Sequence, residues 1–170
     1  MRWPLLLFGL IGCASGPRIP TAASVDLDRF MGDWYVLAHI PAGLEKNAYA
    51  AIESYALNED GTIATTYTFR EGSFDGEQKT YYPKGFVRNT ETNAEWRMQF
   101  VWPIKAEYLI NYVDDDYTQT IIGRSALDYL WIMARTPTIP QAEYDKLVAR
   151  AADLGYDTSK IRKVPQQPER

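Results

Sequence analysis

Most of the chain alternates between apolar and polar residues over short segments, as strands do when they bury one face. Turn-forming residues separate the segments, most clearly at Asn58-Glu59-Asp60-Gly61. The pattern predicts eight strands, over residues 34–40, 53–57, 62–70, 79–88, 95–102, 107–113, 118–123 and 129–135. Because short turns join consecutive strands, we predict an all-β domain in which the eight strands close into an antiparallel up-and-down β-barrel.

The pattern changes to a helical period after the last strand. Thr138 is suited to cap the start of a helix there, Pro140 to occupy its first turn and Gly155 to end it. Apolar residues recur at spacings of three and four, at Tyr144, Leu147, Val148 and Ala151. We expect one C-terminal α-helix, packed on the outside of the barrel, and a last short strand over residues 160–164.

The N-terminus has the order of a secretory signal, with Arg2 followed by an apolar run over residues 3–11. This run is too short to span a bilayer. Leu10-Ile11-Gly12-Cys13 resembles the lipobox of bacterial lipoproteins, in which cleavage precedes the cysteine and the thiol carries a lipid. The resemblance predicts a signal peptide over residues 1–12 and lipid attachment at Cys13. The alternative is an ordinary signal peptide with a chance cysteine.

The segment after the cysteine is small, polar and rich in proline, which is typical of a flexible spacer. We place this lipidated spacer at residues 13–24, the domain at 25–164 and a tail at 165–170. By resemblance to lipoprotein sorting, Ala14 in place of an aspartate implies the outer membrane. We expect the lipid to anchor the barrel at the periplasmic face.

Composition and charge argue against several functional classes. The 170 residues carry a net charge of −4, which gives no reason to expect binding to nucleic acid. One Cys and one His supply neither an internal disulfide nor a Cys/His zinc site. That histidine, His39, falls on an outward position of its strand, and no motif pairs a serine with it. We therefore expect no metal, no cofactor and no catalysis.

Three short motifs carry a resemblance to a known family. Gly32-Asp33-Trp34-Tyr35 resembles the Gly-x-Trp signature of the lipocalins at the start of the first strand. Asp115-Asp116-Tyr117 resembles their second signature, and residues 129–137 resemble the third. A further likeness around Pro103 is to the bacterial outer-membrane lipoprotein lipocalins and the apolipoprotein D type. The resemblance extends over residues 25–164.

The resemblance implies structural roles for Gly32, Trp34 and Arg135. A barrel that is open at one end needs a floor at the other, and the Trp34 indole is large enough to fill it. Arg135 can lay its guanidinium on the indole and donate hydrogen bonds to the carbonyls of a short leading helix. We expect this stack to support the fold and not to contact a ligand.

Alternate residues of each strand face the barrel interior. The family resemblance places Tyr55, Tyr67, Phe100 and Trp131 at pocket positions. Counting by parity adds Val36, Ala38, Ile40, Glu53, Phe69, Met98, Tyr129 and Met133, and the more apolar face of one later strand adds Tyr108, Ile110 and Tyr112. From these we predict the ligand-binding residues Ala38, Glu53, Tyr55, Tyr67, Phe69, Met98, Phe100, Tyr108, Ile110, Trp131 and Met133. Simple core packing is the alternative for each aromatic residue.

Glu53 is an unusual member of this set, because a carboxylate inside an apolar barrel is unfavourable. Since the predicted second strand starts at Glu53, we expect its carboxylate at the solvated rim. The aromatic lining suits an acyl chain. The bacterial resemblance points to single-chain lipids, fatty acids or lysophospholipids, with the chain along Trp131, Phe100 and Met98 and the head group near the rim. An outward His39 disfavours haem.

The resemblance thus implies a membrane-anchored lipocalin that binds, stores or carries lipids in the cell envelope, as a monomer or weak homodimer. Two alternatives stay open. A barrel filled by its own side chains would favour an envelope stress or interaction protein that acts through its surface. A lipocalin-type enzyme is the other, on family analogy alone.

Overall fold

A computed structural model describes residues 19–41, 43 and 45–167. The predicted signal peptide, Cys13 and residues 14–18 of the spacer lie outside the described residues. The elements in chain order are α1 (Leu27–Phe30), β1 (Gly32–Ile40), β2 (Ala48–Leu57), β3 (Thr62–Glu71), β4 (Gln78–Tyr81), β5 (Lys84–Val87), β6 (Glu95–Val101), β7 (Ile104–Val113), β8 (Gln119–Gly123), β9 (Leu130–Ala134), α2 (Gln141–Asp153), a 3₁₀ turn (Thr158–Lys160) and β10 (Arg162–Lys163). No helix in this described part is long and apolar enough to cross a bilayer.

The strands form one closed antiparallel sheet. Their order is β1-β2-β3-β5-β6-β7-β8-β9, and β9 pairs in turn with β1. Both β4 and β5 pair with β3, so together they make the fourth strand of the barrel. β10 pairs with Ala38 and His39 at the end of β1, beyond the part of β1 that pairs with β2. The predicted eight-stranded barrel is confirmed.

The largest differences from the predicted strand bounds are in two strands. The fourth predicted strand, over residues 79–88, is broken between Tyr81 and Lys84. Pro83 lies in the break and has no N–H to donate to a ladder, although its carbonyl oxygen accepts from the Thr65 backbone N–H at 3.2 Å. β2 begins at Ala48, well before its predicted start, and this moves Glu53 from the end of the strand to its middle.

Helix α2 packs on the outside of the barrel, as predicted. Leu147 and Ala151 are its buried residues, and they share a core with outward-facing residues of β8 and β9, namely Ile121, Leu130 and Ile132. A second, larger core fills the barrel interior around Trp34. The molecule therefore has two apolar cores, separated by the wall of the barrel.

The ends of α2 were predicted in part. Gly155 follows the helix with φ +97°, a conformation that suits glycine after a helix C-terminus. The N-cap is Pro140, and no side chain caps the helix start. The expectation that Thr138 caps this helix is therefore wrong.

Two β-bulges change which residues face the interior. The pairing of β1 with β9 shifts register between Val36 and Ala38, and that of β7 with β8 shifts between Ile110 and Tyr112. A bulge adds one residue to one strand, so residues beyond it change face relative to a count by alternation. The parity count from Trp34 therefore fails from Ala38 onward.

Candidate ligand-binding cavity

The floor of the barrel is the stack of Arg135 on Trp34. The guanidinium carbon of Arg135 lies 3.8 Å from the centre of the Trp34 ring. The indole Nε1 donates to the Phe30 carbonyl at 2.8 Å. Arg135 donates from Nη2 to the carbonyls of Arg29 at 2.8 Å and Met31 at 2.9 Å. Because one cation serves both the indole face and the carbonyls at the end of α1, the stack fixes this helix across the closed end.

Gly32 lies next to the guanidinium of Arg135 in this stack. Its φ is +91°, in the region that L-residues with a side chain rarely adopt. A Cβ at this position would lie 3.4 Å from Nη1 of Arg135. The glycine thus lets β1 begin directly beneath the guanidinium.

Aromatic rings fill the interior next to the floor. Phe30 packs against Trp34, Tyr55 and Trp96 with ring centres 5.1, 5.5 and 5.7 Å apart. The hydroxyl of Tyr55 is hydrogen-bonded to that of Tyr108. Burial raises the pKa values of both phenols well above the ordinary range, so both hydroxyls are un-ionised. This half of the barrel is solid.

A cavity of about 170 Å³ occupies the other half and opens between the strand ends opposite α1. Five of the predicted ligand-binding residues line it, namely Tyr67, Met98, Phe100, Tyr108 and Trp131. Phe100 also reaches the surface, where 47% of it is exposed, so it lies at the mouth. The wall is mainly aromatic and aliphatic, which suits an apolar ligand.

Four other predicted residues face inward without lining this cavity. Tyr55, Phe69, Ile110 and Met133 belong to the interior core. Their positions follow the predicted parity, and in the structure they pack against neighbouring side chains.

The bulges overturn the assignments of three residues predicted to face inward. Ala38, Ile40 and Tyr112 lie in or against the core between the barrel and α2. Ala38 was predicted to bind ligand, and it instead pairs with Ile132 of the outer core. The register shift within β1 is the physical reason.

His39 shows the converse error, because it was predicted to face outward. It lies directly opposite Trp131, and paired residues share one face of the sheet. Since Trp131 lines the cavity, His39 points inward, and it is only 2% exposed. Burial, together with the positive charge of Arg162, lowers the pKa of His39 to about 4. The imidazole is therefore neutral at physiological pH.

Glu53 does not lie at the rim, as expected from the sequence, but is fully buried. It pairs with Trp34 of the floor on one side and with Tyr67 of the cavity wall on the other. Burial raises the pKa of its carboxyl well above the ordinary value, and the negative charge of Glu45 raises it further. Glu53 is thus a buried acid between floor and cavity, and its surroundings favour the protonated form.

The mouth contains polar residues that the sequence analysis missed. Glu45, Glu107 and Arg124 line the cavity. Glu45 and Arg124 lie in loops, where alternation carries little information, and Glu107 lies within β7. Glu107 accepts a hydrogen bond from the Ser125 backbone N–H at 2.5 Å, and Arg124 lies 3.6 Å from Asp128. These contacts hold charged groups at the mouth.

Comparisons with known proteins agree with this architecture. A family model described as a lipocalin-like domain matches residues 25–166. Temperature-induced lipocalin-1 of Arabidopsis thaliana is 32% identical over 154 residues, which cover 84% of this chain and 80% of the plant protein. The outer membrane lipoprotein Blc of Escherichia coli K12 is 30% identical over 168 residues, covering 95% of this chain and 92% of that protein.

More distant relatives extend the similarity. Apolipoprotein D of Bos taurus is 27% identical over 149 residues, covering 79% of this chain and 77% of that protein. The solved structure of insecticyanin from the tobacco hornworm Manduca sexta has a TM-score of 0.69 at 14% identity, with coverage of 88% of this chain and 85% of the other. At that identity the likeness concerns the fold alone.

Proposed function

The chain belongs to the lipocalin family, and we propose that it binds single-chain lipids, such as fatty acids or lysophospholipids, within a cell envelope. The fold and the relatives already indicate that the ligand is a small hydrophobic molecule. The observation that carries the finer proposal is the shape of the interior. Aromatic side chains pack together next to the floor, and the cavity lies in the half of the barrel that ends at the mouth.

The size of the cavity supports a slender ligand. Pockets for drug-sized molecules span roughly 300–1,000 Å³. The cavity here has about 170 Å³. A narrow chain fits such a space better than a fused ring system or haem, and further carbons of the chain extend past Phe100 into the mouth.

The mouth supports binding with the lipid head group outward. Arg124 lies there and can interact with a carboxylate or a phosphate. An exposed apolar rim lies where β6 ends and β7 begins. We define it as Phe100, Val101, Trp102 and Ile104, whose exposures are 47, 67, 83 and 70%. Contiguous exposed apolar residues are typical of surfaces that meet a membrane or another apolar partner. A rim of this kind beside the cavity supports uptake of lipid from a bilayer.

We propose that Cys13 anchors the protein to the outer membrane through a covalent lipid. The lipobox-like sequence before the cysteine supports this, as do the Blc relatives, which are named outer membrane lipoproteins. Cells that express the wild type and Cys13→Ser are labelled with radioactive palmitate. We expect label in the outer-membrane fraction for the wild type alone; an unlabelled wild-type protein contradicts the anchor.

Binding is tested by titrating the purified protein with a fluorescent fatty acid. We expect micromolar affinity or better for the wild type and clear weakening for Trp131→Ala and Phe100→Ala, whose rings line the cavity. Tyr144→Ala is the matched control, because it removes a partly buried ring from the outer core. Equal affinities in all four proteins would place the lipid elsewhere, and no binding to the wild type would refute the proposal.

One structural observation favours a second candidate function. The aromatic rings next to the floor leave half of the barrel filled, as expected of an interaction protein that acts through its surface. A wild-type protein that binds no lipid in the titration would support that alternative. That the protein has no catalytic activity stays a prediction.

A further inference from the structure

Several buried polar atoms between the floor and the cavity have no hydrogen-bond partner among the described residues. They include both carboxyl oxygens of Glu53, the hydroxyl of Tyr67 and the indole Nε1 of Trp131. Their side chains are almost completely buried, at 0, 3 and 1% exposure. Leaving a buried polar group without a partner is unfavourable, and native proteins have few such groups.

The three groups lie close together. Glu53 stands directly opposite Tyr67 on the neighbouring strand. The rings of Tyr67 and Trp131 pack with their centres 4.9 Å apart, and both line the cavity. Tyr67 and Trp131 therefore border the cavity, and Glu53 lies beside Tyr67, between the cavity and the floor made by Trp34. We call them the inner polar cluster (Glu53, Tyr67 and Trp131).

The hydrogen-bonding capacity of the cluster selects a ligand group. The Trp131 indole can only donate, so its partner must be an acceptor. The Tyr67 hydroxyl donates or accepts, and an un-ionised carboxyl at Glu53 does both. A hydroxyl group, which donates once and accepts through its lone pairs, matches this combination.

Charge argues against an ionised group at the same place. The carboxyl of Glu53 is influenced by a second acid, Glu45, which also lines the cavity. Arg124 is the single cation among the described residues that line the cavity, and it is paired with Asp128 at 3.6 Å. An anion at the cluster would lie beside Glu53 and near Glu45, and the Tyr67 and Trp131 donors that it could use are uncharged. A cation would face the donor N–H of Trp131, which cannot accept from it.

We propose that the inner polar cluster binds a neutral hydroxyl group, so that the cavity accepts single-chain molecules whose leading end is an alcohol. The inference rests on the proposed function, because it concerns the same cavity. The inference adds the chemical class of the ligand, namely single chains that carry a hydroxyl group on the end that enters the cavity first. A head group at the other end of such a chain can still lie at the mouth.

The protonation state of Glu53 agrees with a neutral ligand. Burial raises the pKa of its carboxyl, and the titratable groups that interact with it are acids or phenols, namely Glu45, Tyr55, Tyr67, Tyr108 and Tyr129. No charge has to be created or neutralised when an alcohol binds. The acid keeps its proton and donates it in a hydrogen bond.

The experiment compares four small molecules of similar length in displacing a fluorescent fatty acid from the full-length protein at pH 8. They are 1-octanol, heptyl methyl ether, octanoate and octylamine. The ether has the same number of heavy atoms as octanol but cannot donate. We expect octanol to bind about tenfold more tightly than the ether, as one added hydrogen bond in a dry site implies, and more tightly than both charged compounds.

Two substitutions of Glu53 separate hydrogen bonding from charge. Glu53→Gln keeps a neutral donor and acceptor of the same shape, so we expect the preference for octanol to persist. Glu53→Leu removes both functions and is expected to abolish the preference. Glu59→Leu is the control, because Glu59 is an exposed residue of the turn after β2. Binding of the fluorescent fatty acid by each variant shows that the barrel is folded.

Each outcome is decisive. If the fluorescent fatty acid binds but octanol binds no more tightly than the ether, the inference is overturned and the proposed function still stands. Internal water that satisfies the cluster would give this result. Octylamine binding best, with loss in Glu53→Gln, would show a cation site and also overturn it. A preference for octanol that survives Glu53→Leu would exclude Glu53 from the site. Failure of the wild type to bind the fluorescent fatty acid itself would refute the proposed function.

Discussion

Replacing Trp34 by alanine removes the ring that closes the floor of the barrel. Trp34 is completely buried, and truncating a buried large aromatic residue costs about 3–5 kcal/mol of unfolding free energy. The substitution also removes the stacking of Arg135 at 3.8 Å, worth about 0.5–2 kcal/mol, although Arg135 keeps its backbone acceptors. The hydrogen bond from the indole to Phe30 adds about 1 kcal/mol.

Because such contributions overlap, we expect Trp34→Ala to lower the unfolding free energy by about 4–5 kcal/mol. That is a large part of the roughly 5–15 kcal/mol typical of a domain, so the variant will be close to unfolding at 37 °C. Urea denaturation followed by tryptophan fluorescence and circular dichroism measures the change. Trp102→Ala is the control, since Trp102 is 83% exposed. A loss below about 1 kcal/mol, no larger than a typical surface change, would refute the role of Trp34 as the floor.

Three further predictions concern other parts of the barrel. His39 has a pKa of about 4 in the fold against 6.5 in the unfolded chain, so the unfolded state takes up the proton first and stability falls between pH 6.5 and pH 4. We expect that fall to be smaller by up to roughly 3 kcal/mol in His39→Gln; identical urea midpoints across this range would contradict it. Gly32→Ala forces an L-residue to φ +91° and should lower the unfolding free energy by about 1–3 kcal/mol, so unchanged denaturation would be inconsistent with the strain. Trp102→Ser should slow transfer of a fluorescent fatty acid from vesicles with no change in melting temperature, and an unaltered transfer rate would exclude this rim residue from uptake.

The fold was predictable from the sequence because its signals are local. Alternation and turn residues located the strands, and helical spacing located α2. The Gly-x-Trp motif and Arg135 gave the floor, including the stack of the guanidinium on Trp34 and its hydrogen bonds to the end of α1. The strands and α2 depend on residue type and spacing within a few neighbouring positions, whereas the stack followed from the family resemblance.

The interior was less predictable, because it depends on register. A bulge in β1 moved Ala38 out of the barrel and His39 into it, and no residue in that strand marks the extra position. Glu53 was misplaced because β2 extends back to Ala48, through a stretch in which alternation is weak. The size of the cavity depends on how rings such as Phe30 and Trp96 pack together, which a count along single strands does not give.

The central claim, that the cavity holds a slender single-chain lipid, is tested most directly by native mass spectrometry of the full-length protein extracted from cells in mild detergent. The account predicts a peak for the protein with one non-covalently bound single-chain lipid, which disappears in Trp131→Ala because that ring lines the cavity. A wild-type spectrum without such an adduct, even after incubation with fatty acid and lysophospholipid, would contradict it.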